Sequence, residues 1–163
     1  MNTIKLRPII TVEEKNTFVS EIQEAFQISY VSEFGEFEKQ VLPTEDIEES
    51  FNAKGAEAYI AEIGGERIGG AVIVIDDKTG YNSLHLLYVK SSAQNAGNGF
   101  KIWKAIEELH PETRIWETHT PYYDKRNIHF YVNRCGFKIV EFFNPKHKDP
   151  HQISESAGNI PKE

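Results

Sequence analysis

The sequence offers little from which to build a cross-linked or membrane-anchored scaffold. Its 163 residues include one cysteine, Cys135, so no internal disulfide can form. No run approaches the ~18 apolar residues of a membrane span. Met1-Asn2-Thr3-Ile4-Lys5-Leu6-Arg7 is too polar for a secretory leader. A cytoplasmic location and no membrane partner are the expectation. Basic residues are in deficit: 18 Lys and Arg face 25 Asp and Glu, for a formal net charge of −7. An acidic chain repels nucleic-acid phosphates, so a nucleic-acid partner is discounted and a cationic small molecule suits it better. The same charge also serves plain solubility. There is no internal repeat and no long linker.

What is present is ordinary for a globular protein: 39% hydrophobic, 26% charged and 12% aromatic residues. The length fits one domain, which buries roughly two-thirds of its surface. That domain is expected over residues 1–144. The polar stretch 145–163 has three prolines and no periodicity, and is expected to be poorly ordered.

Ile4 to Ile9 alternates apolar and polar residues, as a half-buried strand does. Thr11 caps the next helix, with Glu14 completing a capping box and Gly35 as its stop. Thr44 caps a second helix, which Gly55 ends. Strands follow at 58–63, 67–75 and 83–89, with Gly64-Gly65 as the tight turn between the first two. A helix is expected over 100–109, a strand over 114–119, a short helix over 125–135 and a final strand over 137–143. Antiparallel strands thus run into a βαβ crossover. The fold class is α/β, or α+β with a mixed sheet flanked by helices.

The chemistry concentrates after Val89. Lys90-Ser91-Ser92-Ala93-Gln94-Asn95-Ala96-Gly97-Asn98-Gly99 leads from a strand into a helix. Its glycines let backbone amides approach an anion, and the helix adds N–H groups and a partial positive charge. Together these form a phosphate cradle. By itself such a loop is also what a plain strand-to-helix turn looks like. It has neither the G-x-G-x-x-G of a dinucleotide fold nor the Gly-Lys-Ser/Thr ending of a P-loop.

Gln94-x-x-Gly97-x-Gly99 resembles the acyl-CoA motif (Q/R)-x-x-G-x-(G/A) of the GNAT N-acetyltransferases. Asn127-Ile128-His129-Phe130-Tyr131, followed by Gly136-Phe137, resembles that family's second motif. The order of elements matches the GNAT fold over about residues 4–143. The resemblance implies acetyl-CoA as co-substrate and transfer to a primary amine of a small molecule or peptide, without a covalent enzyme intermediate. In that likeness, backbone groups of Leu87, Tyr88 and Val89 pair with the pantetheine arm. Gln94, Asn95, Ala96, Gly97, Asn98, Gly99 and Phe100 hold the pyrophosphate. Asn127, Phe130 and Tyr131 complete the cofactor site, and the strand 114–119 splays from the strand ending at Val89. No metal is implied, and a homodimer is left open.

Amine acetylation needs a base to free the attacking lone pair and an acid near the leaving thiolate. An oxyanion donor is also needed, in this family a backbone amide near Tyr88 or Val89. Tyr131 matches the family's tyrosine and is the candidate acid. One departure bears on it: Gly136 is the fifth residue after it, where the family usually has the fourth. Either a bulge absorbs the extra residue or Val132 takes the position. Strand alternation puts Ser83, His85, Leu87 and Val89 on one face. His85 is the candidate base, falling where the arylalkylamine acetyltransferases place a relay histidine. Glu117 and His119 compete for that role. For the acceptor, Glu33, Phe34 and Glu36, with Phe37 and Glu38 beside them, offer carboxylates next to aromatics, which attract an ammonium. The same run also suits a solvated surface. His119 joins the substrate side. Cys135 is expected to be a packed helix residue. The alternative function is an acyl-CoA-binding module without transfer.

Overall fold

The computed structural model describes residues 3–36, 38–94, 96–120 and 125–139. The chain falls into two compact units, Met1–Thr118 and His119–Glu163. The tail 145–163, Asn95 and Phe37 lie outside the described residues.

In the first unit, β1 (Ile4–Pro8), β2 (Ala56–Ile63), β3 (Glu66–Val74), β4 (Tyr81–Val89) and β5 (Ile115–Thr118) form one sheet in that spatial order. Each of the first four strands is antiparallel to its neighbour, and β5 runs parallel to β4. The helices are α1 (Val12–Phe34), α2 (Thr44–Asn52) and α3 (Asn98–Leu109), the last making the β4–β5 crossover.

α1 begins as its sequence dictates. Thr11 Oγ1 accepts from the Glu14 N–H at 3.1 Å, and the Glu14 carboxylate accepts from the Thr11 N–H at 3.3 Å. Arg7, with the Ile10 and Thr11 amides, pulls that carboxyl down to about 2. α2 differs from expectation. Pro43 occupies the cap position and Thr44 is the first helical residue. The Thr44 hydroxyl accepts instead from Gln23 Nε2 of α1 at 3.0 Å. α2 closes at Asn52, before Gly55.

Helices cover both faces of the sheet. Phe18, Ile22 and Ala25 of α1 and Ile47 of α2 pack with Val72, Leu86 and Tyr88. Gly69 and Gly70 are adjacent in β3 and face opposite ways. A Cβ on Gly70 would lie 2.8 Å from the Phe18 ring, and one on Gly69 3.2 Å from Ile102 of α3. Glycine at both positions lets α1 and α3 close on the sheet from either side.

In the second unit, α4 (Lys125–His129) runs into a π-helical turn, Phe130–Arg134. Residues 137–139, the start of the expected last strand, carry no ladder, and 140–143 lie outside the described residues.

Candidate active site

The C-terminal end of β4 is unusual on both of its edges. On the β3 side, Val72 pairs with Leu86 but Ile73 pairs with Leu84, so His85 is an extra, bulged residue. On the β5 side, pairing ends at Leu84 and Thr118, where Thr118 Oγ1 donates to the Leu84 carbonyl at 2.9 Å. β4 continues five more residues to Val89. Both irregularities therefore meet at His85, and bulges gather where a strand must re-aim a side chain.

The bulge overturns simple alternation. Leu84 is buried beside Ile73, whereas Leu86 and Tyr88 join the α1–α2 core. His85 itself turns to α2, with Nδ1 3.3 Å from Ser50 Oγ. It does not share the Leu87 face as strict alternation required. The signal in the sequence was the adjacent pair Leu86-Leu87, which breaks the apolar–polar rhythm.

A second bulge, at Ile68, lets Arg67 reach α1. Its guanidinium donates Nε to Glu21 Oε1 and Oε2 at 3.1 and 3.0 Å, and Nη2 to Oε2 at 2.7 Å. The Tyr88 hydroxyl donates to the same carboxylate at 2.7 Å. Burial pushes the Glu21 carboxyl up, but Arg67 and Tyr88 outweigh it and hold it below the usual range. Burial and the Glu21 carboxylate together push the Tyr88 phenol well up. The Tyr88 side chain is thus fixed as a neutral donor. Its ring stands edge-on to Phe18 at 5.0 Å. None of this network was anticipated from the sequence.

Beyond Val89, a short turn (Ser91–Ala93) leads to Gln94, whose side-chain amide donates back to the Val89 carbonyl at 2.9 Å. Asn98, buried at the head of α3, donates to the Ala93 carbonyl at 2.9 Å. These two amides fix the loop to the ends it connects. Gly97 caps α3 with φ 74° and ψ 14°, a left-handed conformation that favours glycine. A Cβ there would meet nothing within 4 Å, so open space faces the start of the helix. The first turn's amides precede the first intrahelical bond, from Lys101 to Gly97 at 3.2 Å. Ala96, Gly97, Gly99 and Phe100 are exposed or half-buried here.

The other expected residues fall elsewhere. Glu117 is exposed on β5, opposite Ser83 in register. Glu33 and Phe34 are exposed in the last turn of α1, about three turns beyond Glu21. Glu36 is exposed just after it, and the Phe34 ring rests on Tyr30 at 4.9 Å. His119 is exposed and Asn127 half-buried in the second unit. Tyr131 is buried there, with Phe130 and Phe137 around its ring at 5.2 and 5.6 Å. The Cys135 N–H donates to the Phe130 carbonyl at 3.0 Å and the Phe137 N–H to the Tyr131 carbonyl at 2.9 Å. The first of these spans five residues, so the extra residue between Tyr131 and Gly136 is taken up as a π turn. Cys135 follows that turn, half-buried, rather than lying within the helix.

A shallow pocket lined by Asp76, Gly80, Asn82 and Arg114 sits at the opposite end of β4 and shares no residue with this site. Among the described residues, no group of three or more His, Cys, Asp or Glu side chains is arranged to hold a metal ion.

Residues 19–137 match the model of the Acetyltransferase (GNAT) family. The chain belongs to that family, whose members are acyltransferase enzymes. It is 49% identical over 135 residues to the uncharacterized protein YrkN of Bacillus subtilis (strain 168), spanning 82% of this chain and 73% of that one. Its fold is similar to a Bacillus subtilis acetyltransferase in complex with CoA, with TM-score 0.63 and 19% identity over 99% of this chain and 92% of that one. It is also similar to the PaiA N-acetyltransferase of Thermoplasma acidophilum in complex with coenzyme A, with TM-score 0.62 and 18% identity over 86% and 92% of the two chains.

Proposed function

We propose that this protein transfers the acetyl group of acetyl-CoA to a primary amine of a small molecule or peptide by direct attack. The observation that carries the proposal is the end of β4. There a bulge, a lost strand partner and a glycine-capped helix follow one another within fifteen residues, 84 to 98. The backbone of Leu87, Tyr88 and Val89 has no ladder partner on the β5 side among the described residues, which suits an extended pantetheine arm. The amides from Gln94 to Phe100, with Gly97 at their centre, suit the pyrophosphate. The two similar structures hold CoA, in keeping with this assignment.

In the reaction, the amine nitrogen attacks the thioester carbonyl and the C–S bond breaks as the amide C–N bond forms. The proton lost by nitrogen goes to His85, or through water to Glu117. The thiolate takes a proton from Tyr131. The acid role rests on the second motif, in which the π turn lets the helix accommodate one extra residue after Tyr131. Asn127 and Phe130 join the cofactor side by the same motif. On the acceptor side, Glu33, Phe34, Glu36 and His119 offer charge and aromatic faces to an ammonium. The compartment proposed is the cytoplasm; no helix of the described residues is long and apolar enough to cross a membrane.

Thiol release from acetyl-CoA in the presence of spermidine, kanamycin, tyramine or a short peptide tests the proposal. Amine-dependent release supports transfer. A CoA-induced rise in Tm with no release on any amine would instead mark an acyl-CoA-binding module.

A further inference from the structure

We infer that Glu21 is a positioning residue for acetyl transfer: through the Tyr88 hydroxyl it sets the Tyr88–Val89 peptide, whose N–H meets the thioester oxygen. The inference rests on the acetyl-transfer reading above, and goes beyond it by naming the group that aims the oxyanion donor. The end of β4 needs an anchor of this kind. Pairing with β5 stops at Leu84 and Thr118, so Leu86 to Val89 are held along one edge, by β3. Their orientation depends on that ladder and on what their side chains touch.

The phase of the β3–β4 ladder selects the amide. In an antiparallel pair, hydrogen-bonded and non-bonded positions alternate. The Lys90 N–H donates to the Ile68 carbonyl at 2.9 Å. Tyr88, two residues earlier and opposite Gly70, therefore turns its own N–H and C=O to β3 as well. Val89 turns both groups the other way, to the edge that β5 has left. A second bond agrees, since the Val89 carbonyl is met by Gln94 Nε2 at 2.9 Å rather than by β3. The Val89 N–H is thus the one that faces the thioester. It shares a planar peptide with the Tyr88 carbonyl, so whatever holds Tyr88 aims that N–H.

Tyr88 is held along its whole side chain. It is 3% exposed, its ring stands edge-on to Phe18, and its hydroxyl donates to Glu21 Oε1 at 2.7 Å. The direction of that bond is fixed, because Glu21 is held ionised and a carboxylate only accepts. Glu21 is gripped in turn by the Arg67 guanidinium of β3, at 2.7 to 3.1 Å. The clamp joins α1, β3 and β4 at the end of β4 that carries the donor. Glu21 touches no reacting atom; it acts through Tyr88.

The test is Tyr88→Phe, which keeps the ring and removes the hydroxyl, beside Glu21→Gln, which keeps the shape and removes the charge. For each full-length, folded variant, kcat for the best amine of the panel is measured with KM for acetyl-CoA, CoA affinity and Tm. Tyr88→Phe is expected to lower kcat about tenfold, short of the roughly 10²–10³-fold loss on deleting an oxyanion donor. Glu21→Gln should lower it less, and in the Tyr88→Phe background should cost little more. CoA affinity and KM should stay unchanged in both, because the pyrophosphate is held separately at Gly97. A clamp that only stabilises the fold would lower Tm and leave kcat of the folded enzyme as it was. Full kcat in both variants of an active enzyme would therefore overturn the inference and leave acetyl transfer standing. A wild type that acetylates no amine would overturn the transfer reading itself, and the task of the clamp with it.

Discussion

Tyr131 concentrates the question of proton supply in one side chain. Its ring is enclosed by Phe130 and Phe137, and its carbonyl accepts the Phe137 amide. Tyr131→Phe keeps the ring and removes only the hydroxyl. It should lower kcat by roughly 10²-fold, the lower range for a general acid, while CoA affinity changes little. Steady-state kinetics beside a CoA titration check this, and full activity would remove the acid role. The sequence placed Tyr131 by motif, and it also signalled trouble through the extra residue before Gly136. It did not show how the chain absorbs that residue. A π turn depends on where neighbouring rings pack, and a linear spacing does not carry that information. His85 is similar. Its place on β4 was legible, but its direction was not, because a bulge at His85 breaks the alternation.

Elements whose cause is local were the legible ones. The Thr11–Glu14 box, the β2–β3–β4 meander and the α3 crossover follow from residues a few positions apart. The Thr44 cap failed because Pro43 already sets an extended conformation at the cap position and Gln23 takes the hydroxyl. The Glu21–Arg67–Tyr88 triad was out of reach, since its members lie 46 and 67 residues apart. For the loop and α3, Gly97→Val tests the cradle. It should cost about 1–2 kcal/mol through its left-handed backbone, and should also weaken CoA binding more than tenfold by filling the open space there. Gly64→Val makes a matched control. Gly64 also has positive φ, 60°, with nothing within 4 Å of a Cβ, but lies in the β2–β3 turn. It should lose comparable stability and keep its CoA affinity. Equal CoA affinity in both variants would refute the cradle at Gly97.

Across the first unit, one cluster ties the far end of α3 to the sheet. His110, at the C-terminus of α3, has Nε2 2.8 Å from Glu57 of β2 and Nδ1 3.2 Å from Glu112. Tyr59 donates to the same Glu57 oxygen at 2.8 Å. Burial pulls the His110 pKa down, but the two carboxylates outweigh it and raise it above 6.5. A raised folded pKa means this stabilisation is fully present below about pH 6.5 and is lost as pH rises through the folded value. The Tm of the wild type should therefore fall between about pH 6 and pH 9, and that of His110→Gln should fall less. Thermal melts across that range decide it, and parallel curves would mean that His110 does not gain from its partners.

The proposal stands or falls on whether the acetyl group passes straight from CoA to the amine. A rapid-quench single turnover with acetyl-labelled acetyl-CoA and the best amine of the panel tests the central claim most directly. Direct attack predicts that label passes from CoA to the amine with none on the protein. Label that stays on CoA with every amine, or that first accumulates as acetyl-protein, would contradict it.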